Sequence, residues 1–137
     1  DSMWLVPPKI VTNEQDCLED CKSYIKFSDT NIPSIKIENC IGGVPTNLGD
    51  LNNNGTDEIG LLPEWFTSNW CVYFVWTYIG GKWVEAVPPF ATHTSQWEKG
   101  VIPIEVDKTK RGNVVIRYSD FVNDNIVTLS KSVRILK

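Results

Sequence analysis

Apolar and polar residues alternate with a period of two along most of the chain, the spacing of strands that cover one face. "SYIKF" (23–27) and "SIKIE" (34–38) place Ile25, Phe27, Ile35 and Ile37 inward, and "SDTNIP" between them supplies turn residues. "EIGLL" (58–62) predicts a short strand. "WCVYFVWTYI" (70–79) predicts the longest one, with Trp70, Val72, Phe74, Trp76 and Tyr78 on one face. Cys71, Tyr73, Val75, Thr77 and Ile79 share the other face. Both faces are largely apolar, as in a central strand covered on both sides, so Trp70 and Trp76 are assigned to the core. Gly80-Gly81 predicts a two-residue hairpin turn into "KWVEAV" (82–87), which Pro88-Pro89 ends. Further strands are predicted at 101–106, 113–118 and 125–135, with a turn at Asn123-Asp124-Asn125. Pro103 makes the first of these an edge strand or a strand start. Residues 1–12 read as an extended lead-in. "NEQDCLED" (13–20), with Asn13 as a cap, is the one short helix candidate.

Eight or so short strands with regular turns predict a single all-β domain over residues 1–137. The expected form is a small antiparallel sandwich or barrel-like fold. The length of 137 residues suffices for a core without metal or disulfide staples. A net charge of -4 and the lack of any dense Lys/Arg run argue against nucleic-acid binding. No run of eighteen apolar residues exists, so no membrane span is expected. The chain begins Asp1-Ser2-Met3, as expected where a leader has been removed.

Cys17, Cys21, Cys40 and Cys71 lack the paired Cys-x-x-Cys spacing of a zinc site. Cys17 and Cys21 would be an awkward bridge within a helix, and Cys40–Cys71 would close a long loop. A disulfide or free buried thiols both remain open.

"GDLNNNGTDEIG" (49–60) carries the most specific chemistry. Counting from Asp50, oxygen donors fall at positions one, three, five, seven and nine: Asp50, Asn52, Asn54, the carbonyl of Thr56, and Glu58. Gly55 stands where the turn is sharpest. Calcium is a hard cation that takes six to eight oxygen ligands, and every slot of this spacing holds an oxygen donor. An EF-hand is excluded, because position twelve is Leu61 and no helices flank the loop. The competing reading is an apo asparagine–glycine turn, since both residues tolerate the left-handed region.

The stretch "GDLNNNGTDEIGLLP", followed by "WCVYFVWTYIGGKW", resembles the calcium loop and hairpin of FG-GAP and VCBS-type repeats, over residues 43–87. That resemblance implies one propeller-blade-like unit, with Asp50, Asn52, Asn54, Thr56 and Glu58 as calcium ligands and Asp57 as an acidic neighbour. It also implies a secreted, periplasmic or outer-membrane-anchored protein of the bacterial cell envelope, such as a lipoprotein. Asn53 and Asn54 depart from the repeat's usual Gly and Asp. With Asp50 and Glu58 as the only charged ligands, weak structural binding of about 0.1–1 mM is expected. One blade cannot close a propeller, so it is expected to pack on the remaining strands.

Trp65 and Phe66, in "PEWFTSNW", and Trp83 are candidates for stacking on a sugar or anchoring a protein partner. Core packing is the competing reading. The acids Asp50, Asp57, Glu58, Glu64 and Glu85 leave a glycan hydrolase with paired carboxylates as a third possibility, since separation decides that chemistry. His93, the only histidine, has no nucleophile context and reads as a loop residue. The expectation is therefore a non-enzymatic, calcium-binding structural or interaction domain. The alternative is a carbohydrate- or protein-binding module that uses its aromatics.

Overall fold

The computed structural model describes residues 2–11, 15–66 and 69–137. Among these residues the fold is all-β, with three antiparallel sheets and no closed barrel. Strands β1 (Met3–Val6), β2 (Lys22–Phe27) and β3 (Ile35–Glu38) form the N-terminal sheet. The central sheet runs in order through β4 (Thr46–Gly49), β5 (Glu58–Leu61), β6 (Trp70–Ile79) and β7 (Lys82–Glu85). Pro88-Pro89 cannot donate to a ladder. Beyond them pairing with β6 resumes as β8 (Phe90–His93). One helical turn, α1 (Thr94–Trp97), follows. The C-terminal sheet joins β9 (Ile104–Val106) to the hairpin of β10 (Asn113–Val122) and β11 (Asn125–Arg134).

Both predicted hairpin turns form where expected. Gly80 and Gly81 have φ of 59° and 80°, and Asn123 and Asp124 have 50° and 62°. Two consecutive left-handed residues give the turn whose twist matches the strands. Register then decides which side chain faces which layer. Ile59 pairs with Trp76 and Leu61 with Phe74, so these four share a face of the central sheet. They pack with Ile25, Ile35, Ile37 and Cys40 into one apolar cluster. On the opposite face Tyr73 and Val75 pack with Ile104, Val114, Ile116 and Ile135. The central sheet is thus covered on both faces, in a small β sandwich.

Gly60 belongs to that second face. A Cβ there would collide with the Tyr73 hydroxyl and the side chain of Leu48. The absence of a side chain lets the Tyr73 ring lie across β5. Burial pushes the Tyr73 phenol up to about 12.

Two expectations are corrected, the helix position and the burial of Trp70 and Val72, and the open cysteine pairing is resolved. The short helix lies at 94–97, not near the N-terminus. Residues 15–20 are bends and a bridge, while Asn13, the expected cap, lies outside the described residues. Cys17 and Cys21 lie at a Cα separation of 5.3 Å and form a disulfide, leaving Cys40 and Cys71 as free thiols. Trp70 is 43% exposed and Val72 42%, on the stretch of β6 that pairs with β8. Trp76 is buried as expected.

Candidate functional site

The loop between β4 and β5 is built by its own side chains. Asp50 turns back over the loop: Oδ1 accepts from Asn54 N (3.1 Å) and Oδ2 from Gly55 N (2.9 Å). Asn52 Oδ1 accepts from Asn54 N, and Asn54 Oδ1 accepts from both the N–H and the hydroxyl of Thr56. Asn53 and Gly55 take the left-handed conformations the turn needs, with φ of 56° and 93°. Asp57 is exposed and accepts from Asn47 Nδ2 (3.1 Å).

Glu58 differs from the rest of the loop. It opens β5 and is fully buried. Oε1 accepts from Leu51 N (2.6 Å) and Asn52 N (3.2 Å), and Oε2 accepts from the Thr77 hydroxyl (3.0 Å). The same hydroxyl accepts from Asn52 Nδ2 (3.1 Å), which also donates to the carbonyl of Leu136 (2.9 Å). Glu58 therefore sits where the loop, β6 and the C-terminal segment meet. Among the described residues it has no cationic partner. Burial raises its pKa, the nearby Asp50 charge adds to the rise, and the bonds from Asn52, Thr77 and Leu51 oppose it.

Compared with protein-family models, with curated proteins and with solved structures, the chain matches none.

The donor set decides how well a hard cation would fit. No three His, Cys, Asp or Glu side chains converge among the described residues, so charge must come from Asp50 and Glu58. An ionised carboxylate offers about four acceptor positions and an amide oxygen two. Asp50 uses two of its positions on backbone N–H groups, Asn52 Oδ1 uses one, and Glu58 uses three. Each retains room for a cation. Asn54 Oδ1 has both positions filled by Thr56. It would have to release the Thr56 hydroxyl to coordinate. Asp50, Asn52 and Glu58 thus keep acceptor positions that a hard cation could use, while Asn54 shapes the turn.

The aromatic candidates separate. Trp65 is 38% exposed and meets Phe66 edge to face at 5.0 Å. Trp65, Trp70, Val72 and Phe74, with Pro63 and Cys71, line a shallow cleft of about 460 Å³. Glu38 and Asn39 supply its polar rim. Trp83 lies elsewhere, stacked on Phe27 at 5.3 Å with its Nε1 donating to the Pro33 carbonyl. It closes the N-terminal cluster and takes no part in the cleft. Trp70, for which the sequence favours core packing over an exposed role, lines this cleft instead. Its position near the start of β6 was the available signal.

The acids proposed as a hydrolytic set are dispersed. Asp50 and Glu58 interact within the loop, Glu64 faces Gly42, where it adds to the rise that burial causes in the Cys71 pKa, and Glu85 lines the groove between the loop and the C-terminal sheet. His93 caps α1, its Nδ1 accepting from Ser95 N (3.1 Å).

Proposed function

We propose that the chain is a non-enzymatic, extracytoplasmic domain in which loop 50–58 holds calcium weakly for a structural purpose. The observation that carries this reading is Glu58, a buried carboxylate beside Asp50 with no cationic partner among the described residues. A divalent ion would neutralise both charges and fix the loop against Thr77 and Leu136. The donor spacing, and its resemblance to FG-GAP and VCBS-type loops, support the same reading. So does the four-stranded meander of 46–85 in which the loop sits. The Cys17–Cys21 disulfide suits an oxidising compartment.

A thermal and urea melt with calcium against chelator tests this. With a dissociation constant of about 0.1–1 mM, calcium at about 10 mM adds roughly 1.4–2.7 kcal/mol of stability. A midpoint unchanged at that concentration overturns the proposal.

The exposed cleft around Trp65 and Trp70 favours a second reading, a carbohydrate-binding module. Indole faces stack on sugar rings, and Glu38 and Asn39 offer hydrogen bonds to hydroxyls. Glycan-array binding that is lost in Trp65→Ala is the expected result. No binding by the intact protein removes this reading.

A further inference from the structure

We propose that the groove between the asparagine loop and the C-terminal sheet docks an extended acidic segment of a partner protein. The groove holds about 1390 Å³, beyond the roughly 300–1,000 Å³ typical of small-molecule pockets. Its floor is aliphatic, formed by Leu51, Ala86, Val87 and Ile135. Val106 and Leu136, 46% and 49% exposed, add apolar surface at the rim.

The charges along it are unlike those of the rest of the molecule. Lys108, Arg111, Arg134 and Lys137 line the groove, in a chain of net charge -4. None of the four forms an ion pair among the described residues. Two carboxylates, Glu85 and Asp107, face them. Asp107 is turned toward its own turn, accepting from Thr109 and Ser132. The groove therefore presents unpaired cations above an aliphatic floor. Arg111 and Arg134 can each take a carboxylate through two parallel N–H donors.

Shape and lining select a peptide over other anions. Among the described residues no aromatic lines the groove, so neither bases nor sugar rings have a stacking platform. A peptide in which acids alternate with aliphatic residues would place carboxylates on the rim and apolar side chains on the floor. None of the four cations belongs to the loop, although Leu51 and Asn52 of the loop line one side of the groove.

Fluorescence anisotropy on the full chain tests it, using a labelled eight-residue peptide that alternates Glu or Asp with Leu or Val. The control peptide carries Gln and Asn in place of the acids. The acidic peptide is expected to bind at least about ten-fold more tightly than the control, and to weaken as salt rises. The Arg111→Gln/Arg134→Gln double variant, with both sites exposed and an unchanged melt as its folding control, should lose at least about ten-fold in affinity. Amide shifts on binding should centre on Ala86, Val87, Ile135 and Leu136. Equal binding of the two peptides, no binding at about 1 mM, full affinity in the double variant, or tighter binding of a sulfated oligosaccharide would each overturn the proposal.

Discussion

Glu58 and Asp107 each accept hydrogen bonds from three donors at the edge of a turn, yet their acidities move in opposite directions. Asp107 accepts from Thr109 N, the Thr109 hydroxyl and the Ser132 hydroxyl, in a solvent-facing turn. Those bonds, led by Ser132, lower its pKa to about 2. Glu58 accepts from Leu51 N, Asn52 N and the Thr77 hydroxyl, but it is fully buried, and its pKa rises. Hydrogen bonds favour the charged form in both places. At Glu58 desolvation outweighs them, and Asp50 adds a like charge. One turn is complete with protein donors alone. The other concentrates negative charge in a place where a divalent cation would relieve it.

The sharpest way to break this contrast is to remove the carboxylates. Glu58→Ala leaves Leu51 N, Asn52 N and the Thr77 hydroxyl without their acceptor, and an expected loss of about 3 kcal/mol follows. Urea unfolding measures it. A loss under about 0.5 kcal/mol, the range of ordinary surface substitutions, would show that Glu58 does not organise the junction. Glu58→Gln keeps the shape and one acceptor oxygen, so it should cost less and abolish any stabilisation by calcium.

Thr77→Val is the next largest. It removes the hydroxyl that donates to Glu58 and accepts from Asn52. A loss of about 1–3 kcal/mol is expected, because a buried carboxylate oxygen and an amide donor each lose a partner. An unchanged urea midpoint would mean that the loop is not tied to β6 through this residue.

Much of this architecture was legible in the chain, for identifiable reasons. The alternation of 70–79 and the paired turn residues at Gly80-Gly81 and Asn123-Asp124 set strand and hairpin positions locally. Strand β4 was missed because "TNLG" offers Leu48 as its only apolar residue. Strand β1 was read only as an extended lead-in, and β8 was hidden behind Pro88-Pro89. The donor spacing of the loop was equally local and was read directly. The burial of Glu58 was not, since it depends on Thr77 and on Leu136, which is 84 residues from Asn52. The groove's cations, at 108, 111, 134 and 137, form no run in the sequence and meet only through the β9–β11 sheet.

The smallest effects separate the two carboxylates by pH. Asp107 has a folded pKa of about 2, below its ordinary value. Its contribution to stability is complete above an unfolded pKa of about 3.9 and is lost as pH falls through about 2. Glu58 has the reverse sign. Its charged form is penalised in the fold, so its contribution becomes less unfavourable as pH falls through its raised pKa toward the ordinary range near about 4.3. On acidification from neutrality, wild type should therefore gain stability relative to Glu58→Gln. Relative to Asp107→Asn it should hold level until about pH 4 and then lose. Urea midpoints of the three proteins across that range give both differences. Parallel curves would mean that burial does not separate the two sites. If calcium neutralises Glu58, saturating calcium should flatten the first difference near neutrality and leave the second unchanged, because a bound ion removes the charge penalty that protonation would otherwise relieve.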